Sequence, residues 1–429
     1  LKIDKLNIRN VTALILLLAV SFPILLSIKP MTAMLLLILI IWMSLTAKVN
    51  HQIIIDILPL AALMLLGLLF AWDHELYNIF KDVWYVGKAI LFLLLGYVLM
   101  KHIRDTRLLF RVIVIAGLIT SIYRILQFIF EPELLKISFI EMRRVIGSGN
   151  FNTVLALAVL YTCWVNRIVL FTKLLDLIIG FTALIALISS YSRTYWVSFL
   201  VLVFISGNYL NLRKPRRLIL MSFLAVGMVA IFLLDSPDQL DPENMSFIEK
   251  ITYSFKEVDI RNQIDYMDRN INWRGYEAFR GIMTYSRGSV VEYLLGQGFG
   301  TLVDLGFYIP LGGNRIRYIP ILHNGYVYIL LKTGVLGILI YIYFFLMLSA
   351  RGRILVRKTN DPFRKAGGKL IIGLSLIFLL STLVMAGLFS KEELLSATIF
   401  LGCLLAINSF SGTPVPINAK DVIEPEVTR

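Results

Sequence analysis

The stretch ILHNGYVYILLKTGVLG, residues 321–337, opens on a polar pair, His323–Asn324, and runs straight into an apolar segment. It reads as the start of a membrane helix, yet one of only four histidines in the chain stands at its mouth. A long polar segment holding several arginines lies directly before it. Whether 321–337 begins a membrane span decides the fold class, and the side of the membrane it faces decides what His323 is for.

Composition settles the first point. Of 429 residues, 58% are hydrophobic and only 16% charged, with a mean hydropathy of +0.78. Soluble chains carry about a quarter charged residues, and many apolar runs here approach the roughly 20 residues that cross a bilayer core. The expected fold is an all-α polytopic membrane protein with about twelve transmembrane helices, at 11–28, 31–47, 53–72, 84–101, 108–130, 151–166, 172–190, 194–210, 217–234, 323–349, 369–388 and 392–410. One large, mostly helical loop, 235–322, separates the ninth span from the tenth. The tail after Ser411, with Pro414, Pro416 and Pro425, is expected to be disordered. Lys2, Lys5 and Arg9 before an apolar run read as a signal-anchor helix. Cys163 and Cys403 both fall in apolar runs, and no CxxC or zinc pattern occurs.

Loop charge gives the orientation. Lys48; Lys101, Arg104 and Arg107; Arg213, Lys214, Arg216 and Arg217; and Arg351, Arg353, Arg357, Lys358, Arg364 and Lys365 fall in alternate connections, which should be cytoplasmic together with both termini. The net charge of +14 therefore reflects positive-inside bias. Split among several loops, it forms no stripe for nucleic acid. The 235–322 segment then faces outward, and its arginines run against the charge rule. Within it, 245–260 places Ile248, Ile251, Phe255 and Val258 at helical spacing, and 271–283 is helix-like. LLGQGFG (294–300) and LGG (311–313) read as glycine-rich turns. GQGFG is one residue short of a dinucleotide fingerprint and lacks the strand–turn–helix setting.

Four polar features converge on that outer face. SSYSRTYWV (189–197) puts Arg193 in a short turn, where a snorkelling arginine is the plainer alternative. NWRGYEAF (272–279) holds Arg274, which reads equally as a surface ion pair. RRVIGSGNFNT (143–153) offers Arg143, Arg144 and two glycines, an anion nest or an ordinary turn. His323 reads as a hydrogen-bonded cap-region residue or as a proton acceptor, and Asn324 beside it is a substrate-binding candidate. Together, guanidiniums and an imidazole at an outer membrane boundary suit a lipid-linked phosphate or diphosphate. Arginine matches phosphate oxygens with a planar fork, and histidine accepts a proton near neutral pH. Arg280, and Arg315 and Arg317 in GGNRIRYIP, are secondary phosphate candidates.

These residues carry a resemblance. His323–Asn324, nine residues, then Gly334 and Gly337 resemble the H-[NSQ]-x9-G-x-x-[GTY] pattern of bacterial O-antigen ligases. SYSRTYWV, NWRGYEAFRGI followed by LLGQGFG, and RRVIGSGNFN resemble further elements that this family shares with O-antigen and exopolysaccharide polymerases. Tyr276 and Phe279 stand where the family commonly has tryptophan. The likeness covers roughly residues 140–400. It implies a GT-C-like inverting glycosyltransferase in the bacterial inner membrane, working on the periplasmic face without a metal or cofactor. Undecaprenyl-diphosphate-linked glycan would be donor and a lipid A–core the acceptor. By motif match, Arg193 and Arg274 would hold the diphosphate and His323 would deprotonate the acceptor hydroxyl.

Three other readings compete. A polymerase would use the same donor and join lipid-linked repeats. A flippase or transporter would place ionisable groups at the bilayer midplane, whereas Asp56, Lys88, Arg124 and Asp176 read as lying toward helix ends. A metal-dependent oligosaccharyltransferase would need the Asp73–His74–Glu75 turn to hold an ion, and that turn reads better as a solvated loop.

Overall fold

The computed structural model describes residues 5–25, 28–45, 51–137, 142, 145, 151–207, 272–311, 314–389 and 394–407. The predicted span 217–234, the helix read at 245–260, Arg143 and Arg144, and the tail after Ser411 lie outside the described residues.

Among the described residues, eight α-helices precede the undescribed stretch 208–271: α1 (Lys5–Leu25), α2 (Ile28–Leu45), α3 (His51–Leu68), α4 (Leu76–Ile103), α5 (Thr106–Phe130), α6 (Asn152–Val165), α7 (Lys173–Ile188) and α8 (Arg193–Ser206). After it come α9 (Trp273–Tyr285), α10 (Val290–Leu295), a hairpin of β1 (Val303–Leu311) and β2 (Asn314–Ile319), then α11 (Gly325–Lys358), α12 (Pro362–Met385) and α13 (Leu395–Ile407). The described residues are mostly helical, and five helices among them, α3, α4, α5, α11 and α12, are long and apolar enough to cross a membrane. The architecture is compatible with a helical membrane protein.

Local chemistry sets several helix starts. Asp105, Thr172 and Asp361 each accept a first-turn backbone N–H, from Leu108 (3.0 Å), Leu175 (3.1 Å) and Phe363 (2.9 Å). Each satisfies one of the donors a helix N-terminus leaves unpaired. Pro362 takes the first helical position of α12, where its missing N–H costs nothing. Every residue of α13 is buried. It packs on α4 through Gly96 and Gly402, where a side chain would overlap the opposing backbone at Ile399 and Leu93, and such small residues let apolar helices approach closely.

Polar contacts sort the helix ends into two groups. At one end Arg9 lies 3.8 Å from Asp105, Asp56 of α3 pairs with Arg351 of α11, Arg111 donates to the Leu170 carbonyl, and Lys369 donates to that of Ser206. At the other, Asn152 donates to the Val20 carbonyl, Arg124 to that of Ser189, and the Ala386 N–H to that of His323. Consecutive helices thus alternate in direction. The basic connections around Arg104 and Arg351 share one end, and His323 stands at the other.

Two sequence expectations need correction, and a third gains detail. The connection expected at 73–83 is helical from Leu76, because its polar residues find partners: Asn78 bonds Glu75, and Asp82 is buried in a network described below. Lys88, read as near a helix end, lies in the interior of α4 and is buried against the Tyr85 ring. The outer segment, expected to be mostly helical, has two helices and a strand pair among its described residues. Its β1–β2 hairpin pairs Val303 with Ile319 and Leu311 with Asn314, with a register irregularity between Asp304 and Ile309.

The LLGQGFG stretch docks into a break in α11. Gly334 has φ 64° and ψ −168°, which interrupts the helix. An unbroken helix would bond the Leu331 and Lys332 carbonyls four residues onward. Here they accept instead from the N–H groups of Gln297 (2.8 Å) and Gly298 (3.2 Å). Gly296, Gly298 and Gly300 all have positive φ, at 84°, 87° and 97°. Side chains at the first two would overlap the backbone at Lys332–Thr333 and Phe70. His74 holds the loop from the other side, its Nε2 lying 2.9 Å from the Gln297 carbonyl and 3.1 Å from the Thr301 hydroxyl. In the Asp73–His74–Glu75 turn His74 is thus a structural contact, while Asp73 and Glu75 on either side of it are exposed as expected of a solvated loop.

Under the loop lies a fully buried ion pair. Lys332 Nζ lies 2.6 Å from Asp82 Oδ2 and also donates to the Thr301 carbonyl. The carboxylate accepts further from the Gly300 N–H (2.7 Å) and the Tyr328 hydroxyl (2.8 Å). Both charged side chains are 0% exposed. Buried charges persist only when paired and hydrogen-bonded, and this pair is satisfied on every side by the loop and two helices.

Candidate functional site at the mouth of α11

The docked loop and hairpin fix α9 over the start of α11. Tyr276 of α9 donates to the Leu305 carbonyl at 2.5 Å and tilts against Phe307 with ring centroids 5.7 Å apart. Gly281 lets the helix sit close to Leu322 and Val327. The buried face of α9 is small and aromatic with one exception, the carboxylate of Glu277.

Glu277 meets His323. Its Oε2 accepts from the His323 backbone N–H at 3.2 Å and lies 2.6 Å from the ring Nδ1. The carboxylate side chain is 5% exposed and the imidazole 52%. The ring is therefore anchored on its Nδ1 edge from within the protein, while much of it faces outward. The His323 carbonyl is tied down as well, by the Ala386 N–H at 2.8 Å. Asn324 is the N-cap of α11, its side-chain oxygen accepting from the N–H groups of Tyr326 (3.1 Å) and Val327 (3.2 Å). Its amide oxygen is thus engaged by the helix, and its side chain is buried.

Arg274 lies three residues before Glu277 on α9, so the two side chains leave the same side of the helix one turn apart. It is half-buried, and its guanidinium has no partner among the described residues. Arg193 is the first residue of α8. The turn before it is set by the Ser190 hydroxyl, which donates to the Leu187 carbonyl and accepts from the Ser192 N–H, and by Tyr191 in the left-handed region at φ 47°. Leu202 meets Gly373, and Ser206 meets Lys369, so α8 and α12 run antiparallel. Continuing that register at 1.5 Å per residue brings Arg193 level with about Thr382, next to Gly325 at the start of α11. His323, Glu277 and Arg274 are thus joined through two adjoining elements, while Arg193 shares their end of the bundle by level.

The secondary arginines divide. Arg317 is engaged by Asp304 through two hydrogen bonds, Nε to Oδ1 at 2.7 Å and Nη2 to Oδ2 at 2.8 Å. Arg280 donates from Nε to the Asp304 carbonyl at 2.7 Å and lies 3.9 Å from its carboxylate. These two brace the hairpin on α9. Arg315, exposed on β2, has no partner among the described residues.

The Arg317 guanidinium, with the Gly306 N–H and Arg280 behind it, holds the Asp304 carboxyl down to about 2, from an ordinary 3.8. A carboxyl lowered on folding stabilises the fold above its unfolded value and loses that contribution as pH falls through its folded value. Hydrogen-exchange protection of the β1–β2 amides, corrected for intrinsic rate, should hold from neutral pH down to about 4 and be lost toward pH 2. Asp304→Asn should lower it at neutral pH and remove the step; an unchanged step would assign it to another group.

Sequence reasoning missed Glu277, although an acidic residue one helical turn after Arg274 is visible in NWRGYEAF. It also missed Lys332. A lysine within an apolar helix calls for a buried carboxylate, and Asp82 is one of the few acidic residues close to an apolar run. No group of three His, Cys, Asp or Glu side chains among the described residues has the arrangement to hold a metal ion. The chain matches no protein-family model and no curated protein, so the functional reading rests on the geometry and on the motif likeness.

Proposed function

We propose that the chain is a membrane glycosyltransferase of the O-antigen ligase type, with twelve spans, a GT-C-like plan and its basic end in the cytoplasm. One observation carries the reading. At the end of the bundle away from the basic loops, an imidazole is anchored on one edge by Glu277 and half exposed, and one helical turn before Glu277 stands Arg274, whose guanidinium has no partner among the described residues. That is the equipment of a reaction in which a hydroxyl loses a proton while an anion departs. Undecaprenyl-diphosphate-linked glycan is the donor and a lipid A–core hydroxyl the acceptor. His323 removes the hydroxyl proton as the oxygen attacks the anomeric carbon from the face opposite the leaving group, which inverts that centre. The C–O bond to the diphosphate breaks, and Arg274, with Arg193, meets the growing negative charge. Preorganised cations aimed at developing charge supply a large share of such catalysis. The buried Lys332–Asp82 pair is the group a transporter reading would use. The GQGFG loop, Tyr328 and Thr301 already saturate it, which disfavours that reading.

Purified protein in liposomes, given lipid-diphosphate-linked glycan with and without lipid A–core, tests the proposal. The expected product forms only with core lipid present and persists in excess chelator. Arg274→Ala should lower the rate about a hundredfold or more. A ladder of longer lipid-linked chains without core would replace the ligase by a polymerase, and no covalent product from either acceptor would end the glycosyltransferase reading.

A further inference from the structure

We propose that Glu277 is a positioning residue that fixes the tautomer and aim of the His323 ring, an inference that rests on the glycosyl-transfer reading. Three observations carry it. First, Glu277 is a carboxylate on the otherwise apolar and aromatic buried face of α9, and a buried carboxylate is costly unless it is bonded. Second, both of its bonds go to one residue: among the described residues its partners are the His323 backbone N–H and ring Nδ1, through the same oxygen. A carboxylate serving the fold alone would be expected to pair with a cation, and Arg274 sits one turn away without bonding it. Third, the exposure is divided, with the carboxylate inside and the imidazole half open.

The chemical consequence follows from the inventory of donors and acceptors. An ionised carboxylate only accepts hydrogen bonds, so with Glu277 ionised Nδ1 carries the hydrogen that bonds Oε2. The hydrogen bond made by one ring nitrogen decides the state of the other. Nε2 is therefore left with its lone pair, and on a ring anchored at its Nδ1 edge it lies across from the carboxylate. When the acceptor hydroxyl attacks, its proton passes to Nε2, the new C–O bond forms, and the electron pair of the breaking C–O bond leaves with the diphosphate. The imidazolium so formed keeps its Nδ1–H on the Glu277 carboxylate, which balances the new charge. This is the division of labour of a carboxylate–histidine pair in acyl transfer, where the carboxylate orients and stabilises without itself taking the proton.

The test alkylates the full-length protein in detergent micelles with iodoacetate and locates the adduct on the His323 peptide. Wild type should carry it on Nε2; Glu277→Ala should yield Nδ1 adducts as well. Nδ1 adducts in wild type, or the same distribution in both proteins, would overturn the proposal. This readout needs no glycan, so it stands even if the transfer assay fails and the glycosyltransferase reading falls with it. Where transfer is measurable, Glu277→Ala should lower kcat about a hundredfold or more with KM for donor little changed. Glu277→Gln preserves shape and an acceptor oxygen, so it should keep the Nε2 adduct yet lose kcat; a wild-type kcat there would overturn the role assigned to the charge. Should Glu277→Ala not fold, the wild-type adduct and the Glu277→Gln kcat still decide.

Discussion

Asp82→Ala should destabilise the folded protein by about 3–5 kcal/mol, as expected when one partner of a buried ion pair is removed. The substitution strands the Lys332 ammonium, which is 0% exposed and has Asp82 and the Thr301 carbonyl as its hydrogen-bond partners. It also takes the acceptor from the Tyr328 hydroxyl and from the Gly300 N–H. Three groups drawn from α11 and the docked loop lose their common partner on α4 at once. Replacing both charges, as Asp82→Leu with Lys332→Met, should recover a good part of the loss, because paired buried charges often give way to apolar residues at little cost. Thermal unfolding in detergent, followed by the accessibility of the buried Cys163 and Cys403, measures all three variants. If Asp82→Ala is as stable as wild type, the pair does not hold the loop to the bundle.

His323→Ala should lower the glycosyl-transfer rate about 10²–10⁴-fold, the range a positioned general base supplies. The loss should fall on kcat at saturating donor, since the proton moves only in the chemical step. Folding should survive. The backbone N–H and carbonyl of residue 323 keep their bonds to Glu277 and Ala386, and the ring that is lost is half exposed. The variant should still bind donor, because the arginines proposed to hold the diphosphate, Arg274 and Arg193, are untouched. A rate within about threefold of wild type would remove His323 from the chemistry.

Much of the helical plan was legible in the sequence, because an apolar run of spanning length signals itself without knowledge of its neighbours. The helices α1–α8 and α11–α13 fall on eleven of the twelve expected segments. What the sequence concealed depended on distant partners. The first two turns of α4 look like a polar connection until Asp82 meets Lys332, some 250 positions away. The hairpin was hidden because glycine, proline and two arginines interrupt its alternation, and those arginines read as ligands for phosphate. One of them, Arg317, instead grips Asp304. His323, Arg274 and Arg193 were each visible as residues out of place in an apolar chain. Glu277 was not, since an acidic residue in a polar segment attracts no notice until the fold buries it.

The break in α11 bears on how the protein assembles. A span whose own backbone leaves two carbonyls open at Gly334 is unfinished as a lipid-embedded helix, because hydrocarbon offers no hydrogen-bond donor. The missing donors belong to Gln297 and Gly298, which precede the span in the chain and emerge from the ribosome before it. The loop therefore precedes the helix it completes, and that helix has its two carbonyls satisfied only when the loop packs back on it. The bundle is thus closed by a joint between two separate stretches of chain, not by helices that are each complete alone.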